Sequence, residues 1–275
     1  MRPISIPKNI AKFNKGKDAL EGDISIIAQN FSRLTSETPL ISIIIPAYNE
    51  EENILKTLYS LSVSSTHYAI EVIVVNNNSA DATAQLATSC KVTCITETKQ
   101  GITNARNGGL AIAKGTYVIN ADADTIYPAS WIDDMVTPLI KHQNICMTYG
   151  KFSFVPTAKT PRSVYFFYEY ISDLNRKISQ KFKEEAHNVY GFNSACRREQ
   201  CLSVNGFNHP AGTNEDGWLA IKLREKGYGK FHWVTFSRSI VWTTDRRIQI
   251  DGGIFKATFD RLVKNLNFNH LKKKD

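Results

Sequence analysis

Leu40-Ile-Ser-Ile-Ile-Ile-Pro46, running into Ala47-Tyr-Asn-Glu-Glu-Glu-Asn-Ile54, decides the fold. The first part is apolar, β-branched and too short for a helix, so it reads as a buried strand. Behind it, Asn49 is placed to cap a helix, three glutamates favour the positive end of its dipole, and Ile54, Leu55, Leu58 and Leu61 supply an apolar face. The same alternation repeats downstream. Ile70–Val75 predicts a second strand, with Ser79 capping a helix over Asp81–Ala87. Lys91–Thr96 predicts a third strand, and a helix over Ile102–Lys114 returns the chain to a fourth, Gly115-Thr-Tyr-Val-Ile119. Strands alternating with helices imply an α/β fold: a Rossmann-like, mainly parallel sheet flanked by helices, whose ligands sit beyond the carboxyl ends of the strands. Tyr48, Asn76–Asn78 and Asp122/Asp124 fall at such ends.

The fourth strand stops on Asn120-Ala-Asp-Ala-Asp124. A strand projects residues i and i+2 to one side, so both carboxylates would aim at one cation. Hard oxygens suit Mn2+ or Mg2+, ions that keep positions open for phosphate oxygens. Two solvated turn aspartates have the same pattern, and the pair alone leaves both readings open.

Four segments appear together: Ile43-Ile-Ile-Pro-Ala-Tyr-Asn-Glu-Glu51, Val72-Ile-Val-Val-Asn-Asn-Asn-Ser-Ala-Asp81, Asp122-Ala-Asp124, and Asn214-Glu-Asp-Gly-Trp-Leu-Ala-Ile-Lys-Leu-Arg-Glu-Lys-Gly227. In order and spacing they resemble the inverting family 2 glycosyltransferases of the GT-A fold, over residues 41 to 245. The resemblance implies metal-dependent transfer of one sugar from a nucleoside diphosphate sugar, UDP-linked, to a hydroxyl of a glycan or lipid-linked acceptor. It makes Asp216 the proton acceptor and puts Glu215 and Trp218 on the acceptor side. Asp124, assisted by Asp122, would hold the metal. Pro46, Tyr48, Glu50, Asn76, Asn77, Arg106, Asp122 and Ala123 would hold the nucleotide, with Tyr48 at the base and Arg106 facing the diphosphate. Ser194 and Ala195 would lie near the donor sugar. A bland reading stands beside the catalytic one, because Glu215 and Asp216 open a helix and acids in a first turn are stabilised by its dipole regardless of chemistry.

Three departures from the family pattern matter. Asn76, Asn77 and Asn78 stand where many members place an aspartate, which raises the alternative of a catalytically weak sugar-nucleotide or glycan binder; an amide can still pair with uracil. Thr243-Thr-Asp-Arg-Arg247 stands where relatives have a histidine, leaving Arg246 or Arg247 for the diphosphate, or simply a basic turn. The Gln-x-x-Arg-Trp of processive relatives is missing, so single transfer is expected.

The resemblance divides the chain into an N-terminal extension (1–40), a nucleotide-sugar half (41–125), an acceptor half (126–245) and a basic tail (246–275). Within the acceptor half, Trp131–Leu139 predicts a helix and Cys146–Val155 a strand. Val164-Tyr-Phe-Phe-Tyr-Glu-Tyr-Ile171 fits an amphipathic core helix, or the lining of an acceptor cleft. In the tail, eight Lys/Arg oppose three Asp, and Phe255, Phe259, Leu262, Val263 and Leu266 share one helical face. That pattern suits peripheral contact with an anionic membrane, or a terminal helix docked on the core.

Length and composition exclude other classes. With 275 residues, 42% of them hydrophobic, the chain can bury a substantial core. No apolar run approaches the ~18 residues that span a bilayer, and Met1-Arg-Pro-Ile-Ser-Ile-Pro-Lys8 lacks a signal peptide's apolar region, so a cytoplasmic location is expected. The net charge of +8 lies mainly in the tail without a recognition motif, which argues against a nucleic-acid partner. No Gly-x-Gly-x-x-Gly follows the first strand, which excludes a nicotinamide dehydrogenase. The five scattered cysteines read as reduced thiols.

Overall fold

The computed structural model describes residues 2–256 except 159, 183, 251 and 255. Three helices, α1 (Lys8–Ala11), α2 (Lys17–Glu21) and α3 (Ile24–Leu34), precede the first strand, β1 (Ile41–Ala47). Then follow α4 (Ile54–Ser62), β2 (Ile70–Asn76), α5 (Thr83–Ser89), β3 (Thr93–Thr96), α6 (Ile102–Ile112), β4 (Tyr117–Asn120) and β5 (Thr125–Ile126). The second half adds α7 (Trp131–Lys141), β6 (Ile145–Gly150), β7 (Phe152–Val155), α8 (Arg162–Phe182), β8 (Ser194–Arg197) and α9 (Arg198–Ser203). It closes with α10 (Glu215–Glu225), β9 (Lys230–Val234), β10 (Val241–Thr244) and α11 (Arg246–Ile250).

The strands form a seven-stranded sheet in the order β3-β2-β1-β4-β8-β6-β9 and a small sheet β5-β10-β7. All neighbours in the large sheet are parallel except β8, which runs antiparallel to both β4 and β6. The expected mainly parallel α/β architecture is therefore present. From β1 the chain builds outward through β2 and β3, then crosses back to lay β4 on the other side of β1. That reversal opens a crevice at the carboxyl ends of β1 and β4, where open α/β sheets bind ligands.

Burial explains the strands. Every residue of β1 and β4 is buried, as continuous apolar runs require when both faces of a sheet are covered. The N-terminal helices join the same core through Leu20, Ile27 and Phe31.

Several expectations shift. Asn49 does not cap α4; it adopts φ 53° in the preceding turn, and the helix starts only at Ile54. Ser79 does not cap α5 but accepts a hydrogen bond from the Asn49 amide. The run Cys146–Val155 is two strands in two sheets. The chain turns at Gly150, against which Asn193 packs so closely that a Cβ would lie 2.6 Å from its amide. Asn193 donates to the Lys151 carbonyl and accepts from Trp131 Nε1, pinning the bend from both sides. The aromatic run lies in α8, where Tyr165 is buried but Phe167, Tyr170 and Ile171 face outward, so it is not a core helix throughout. Cys196 and Cys201 bring their sulfurs together at the junction of β8 and α9, while Cys90, Cys94 and Cys146 are unpaired. The tail stripe Phe255, Phe259, Leu262, Val263 and Leu266 lies outside the described residues. Among the described residues no helix is long and apolar enough to cross a membrane.

Close approach of α6 to the sheet is set by Gly109. A Cβ there would lie 2.5 Å from Ile44 Cγ2 and 3.1 Å from Val75 Cγ2. Gly109→Ala should therefore destabilise the protein by about 1–3 kcal/mol through overpacking, read as a lower urea midpoint at unchanged m-value. An unchanged midpoint would mean that α6 has room to move.

Candidate functional site

At the carboxyl end of β2 the three asparagines knit loops together. Asn77 donates to the carbonyls of Glu97 and Lys99 at 2.8 and 2.7 Å, and its Oδ1 accepts from the Gly101 amide at 2.7 Å. Asn78, at φ 65°, donates to the Thr98 carbonyl and to Gln100 Oε1. Asn76 closes its own turn, accepting from the Ser79 amide. The side-chain amide of Asn77 is thus committed to holding the 97–101 loop, which differs from the expectation that it reads the base. Tyr48, 53% exposed, stands at the rim beside these loops.

The centre of the crevice is Arg106. It projects from α6 with only 2% of its surface exposed, and three carboxylates surround it. Its Nη2 donates to Asp122 Oδ1 at 2.9 Å, while Nε lies 3.6 Å from Asp216 Oδ1 and 3.8 Å from Glu215 Oε1. Arg106 was expected to face an open diphosphate position; instead it bridges the loop after β4 to the first turn of α10. Asn214 caps that helix, its Oδ1 accepting from the Gly217 amide. Burial pushes the Asp216 carboxyl up to about 7, Arg106 opposing the rise and Glu215 and Asp122 adding to it. Burial raises Asp122 as well, against the pull of Arg106 and the 35% of its side chain still open to water. Arg106 Nε, Arg106 Nη1 and Asp216 Oδ1 are buried without a hydrogen-bond partner among the described residues, so the cluster retains polar capacity at its heart.

Gly191 sits directly over this cluster. A Cβ there would overlap the guanidinium of Arg106 and both carboxylate oxygens of Asp216. Tyr127, fully buried, ties the same region together: its hydroxyl accepts from the Asp122 amide and donates to the Phe192 carbonyl. Neither residue was singled out in the sequence. A glycine between Tyr190 and Phe192, just before a strand, was the available signal.

Asp124 belongs to a second cluster. Asp122 and Asp124 both lie beyond the end of β4, in the turn leading to β5, so they do not share a strand face as the Asp-x-Asp spacing suggested. Asp124 Oδ2 accepts from Thr244 Oγ1 at 2.7 Å and lies 3.7 Å from Arg246 Nη2. Arg246 is also paired with Glu50, whose carboxyl burial raises despite that cation. Lys56, half-buried, adds positive charge facing Glu50 and Asp124. Among the described residues no three His, Cys, Asp or Glu side chains converge as a closed metal cage.

The remaining expected residues divide in the same way. Pro46 is the next-to-last residue of β1, inside the sheet. Ala123 is buried, its carbonyl accepting from Thr57 Oγ1. Trp218 is half-buried on α10, and Arg247 is exposed on α11. Ser194 and Ala195 are wholly buried in β8, with Ser194 Oγ bonded to Asn120, so they support the crevice floor and do not line open space.

The family model "Glycosyl transferase family 2" matches residues 42–202, spanning β1 through most of α9. The chain belongs to this family. Among relatives, the probable glycosyltransferase YdaM of Bacillus subtilis is 27% identical over 217 residues, covering 75% of this chain and 51% of its own. The Escherichia coli UDP-Glc:alpha-D-GlcNAc-diphosphoundecaprenol beta-1,3-glucosyltransferase WfaP is 35% identical over 101 residues, covering 35% of this chain and 40% of that one. The chain spans about a third to a half of the length of the first curated relatives it matches, 35% and 51%. Glucosyl-3-phosphoglycerate synthase from Mycobacterium tuberculosis, in complex with Mn2+, uridine diphosphate and phosphoglyceric acid, shares the fold. Its TM-score is 0.57 at 20% identity, over 83% of this chain and 77% of that one. The GT-A architecture of the family is thus present here.

In this family 2 chain the Arg106 cluster has a testable electrostatic signature. The folded state holds the Asp216 proton well above the ordinary value of 3.8. The stability this group contributes is therefore full below that value and lost as pH rises through about 7. Removing the guanidinium in Arg106→Met lifts the carboxyls further. The variant's deficit should be small near pH 5, where the carboxyls can hold protons, and widen to about 3–5 kcal/mol near pH 8. Thermal unfolding across that range checks it; an equal deficit at both ends would reduce Arg106 to a packing role.

Proposed function

We propose that the chain is an inverting glycosyltransferase that moves one sugar from a UDP-linked nucleoside diphosphate sugar to a hydroxyl of a glycan or lipid-linked acceptor. The observation that carries this reading is the Asp216 carboxyl. It is buried at the amino end of α10, titrates near neutrality, and is joined through Arg106 to the loop that bears Asp122. A general base works best when its pKa lies close to the working pH.

On this reading the acceptor hydroxyl approaches the anomeric carbon from the face opposite the nucleotide. Its oxygen forms the new bond to carbon as its proton passes to Asp216, and the bond from carbon to the diphosphate oxygen breaks with its electron pair leaving on the diphosphate. Glu215 and Trp218 hold the acceptor, and Gly191 leaves space above the base. Tyr48 and the Asn76 side chain meet the nucleobase, and Asn77 shapes the loop around it. Residues 41–125 serve the donor and residues 126–245 the acceptor.

Asp124 and Asp122 fit a divalent cation by chemistry: both offer hard carboxylate oxygens, and Asp124 already stands beside a cationic group, Arg246, at 3.7 Å. Bound Mn2+ or Mg2+ would neutralise charge growing on the departing diphosphate. Arg246, held by Glu50, is placed to turn toward the same phosphates. The relative glucosyl-3-phosphoglycerate synthase was crystallised with Mn2+ and UDP-glucose, and WfaP is named for UDP-glucose and a diphosphoundecaprenol-linked acceptor; both support the donor and acceptor classes proposed here.

The test is kinetic. In the free enzyme kcat/KM should rise with pH through about 7, since Asp216 must lose its proton to act. Asp216→Asn should lower kcat by about 10²–10⁴ and abolish that limb, with UDP affinity little changed. Loss of UDP binding at unaltered turnover would move Asp216 to the nucleotide side.

Asp124→Ala should eliminate the Mn2+-dependent stabilisation by UDP in thermal-shift assays while the fold survives. Full transfer by this variant in chelator-treated buffer would remove the metal from the mechanism.

A further inference from the structure

Helix α8 carries its charges inward and its apolar residues outward. On the inward side, Glu169 and Asp173 are buried and paired with Arg2, Arg162 and Arg176. Arg2 alone donates to Asp173 at 2.7 and 2.8 Å and to the Phe152 carbonyl at 2.5 Å, anchoring the N-terminal segment beneath the helix. The outward side presents Phe167, Tyr170, Ile171, Leu174 and Ile178, with Phe167, Ile171 and Leu174 exposed by 64%, 61% and 60%. At a helical repeat of ~3.6 residues these five cover an arc of about 100°, the width of a face that is normally covered. No described residue covers it.

We propose that this face of α8 docks on an anionic lipid surface. Its chemistry suits the boundary between headgroups and acyl chains: two aromatics, three aliphatics and, among the side chains described, an exposed cation, Lys177, at its edge. The only acids of α8, Glu169 and Asp173, point away and are neutralised by arginines, so nothing on the helix repels a negative surface. The chain as a whole supplies the complementary sign, at +8, with an excess of basic residues between positions 246 and 275. Ile4, exposed by 59%, follows Pro3, whose carbonyl accepts from Arg162 at the start of α8. It adds an apolar residue near that end of the stripe.

A second copy of the chain is the competing occupant. Phe167, Ile171, Leu174 and Ile178 follow the four-three spacing of a coiled-coil seam, but the seam is only about two heptads long, and the flanking Tyr170, Asn175 and Lys177 form no set of opposite charges to pair across it. The lipid surface is the better match. It would bring a lipid-linked acceptor to the crevice along a short path, because α8 leads through residues 185–188 to Gly191 above Asp216. The docking itself does not depend on the catalytic reading.

Flotation of the full chain with phosphatidylcholine vesicles, with and without phosphatidylglycerol, tests it. The wild type should float with the anionic vesicles at low salt and less so as salt is added. Phe167→Ser/Leu174→Glu/Ile178→Gln, all at exposed positions, should reduce vesicle binding at least about ten-fold with Tm and UDP-induced thermal shift unchanged. Lys177→Glu should weaken binding to anionic vesicles alone. Wild-type protein that ignores both vesicle types, or a triple variant that binds as tightly as wild type with its tail intact, would overturn the proposal. So would a concentration-dependent dimer that the triple variant dissociates. Vesicle binding is read without any transfer assay, so failure here leaves the proposed chemistry standing, and failure of the chemistry leaves this result interpretable.

Discussion

A single guanidinium shielded from water organises the crevice. Arg106 faces Asp122, Glu215 and Asp216 at once, and one positive charge cannot balance three negative ones in a medium where solvation is weak. The imbalance has one low-energy outlet, which is for carboxyls to keep protons at pH values where they would ordinarily be ionised. Asp216 shows the effect most strongly: burial is the main cause of its rise, and Glu215 and Asp122 add to it. The same cluster that holds the loop after β4 against α10 therefore sets the acidity of the group that would accept a proton. At this position the structural role and the proposed chemical one fall on the same group, and the dipole reading of the first-turn acids in α10 is compatible with the proposed catalytic one.

Packing around the cluster is equally constrained. Gly109 lets α6 press onto β1 and β2, which fixes the depth at which Arg106 enters; Gly191 leaves the space that the guanidinium and carboxylate occupy. Tyr127 links the two sides by bonding the Asp122 amide and the Phe192 carbonyl with one hydroxyl. Gly109 and Tyr127 act by shape and by local hydrogen bonding, whereas Gly191 abuts the Asp216 carboxylate itself.

The strands β1, β2 and β4 were legible from sequence because burial on both sheet faces demands unbroken β-branched runs, and such runs are local. What was not legible depended on distant partners. The split of residues 146–155 follows from Asn193 packing against Gly150, some forty residues away. Ser194 and Ala195 read as pocket-lining small residues, yet their smallness serves the antiparallel junction of β8 with β4. The asparagines after β2 looked like substitutions for nucleotide-binding acids; the amide of Asn77 makes three hydrogen bonds, and a carboxylate, lacking donors, could reproduce only the one accepted from Gly101. Arg106 was recognised as important, but its inward direction is decided by α10, more than a hundred residues later. The inverted polarity of α8 was hidden for the same reason: whether a helix turns its charges in or out is settled by Arg2 and β7, which lie elsewhere in the chain.

The contact between Thr244 and Asp124, with Arg246 closing on Glu50, joins the last part of the described chain to its first half. Its sequence span has a consequence for synthesis. As the polypeptide leaves the ribosome, β1 to β4 can pair early, since their partners are close in sequence, whereas the carboxylate of Asp124 meets its hydroxyl and arginine only after some 120 further residues have emerged. A nascent chain halted between β9 and β10 would hold the large sheet and α10 with one wall of the crevice missing. The crevice is thus completed last, and a truncated product could form much of the sheet while lacking the full set of charges around its open end.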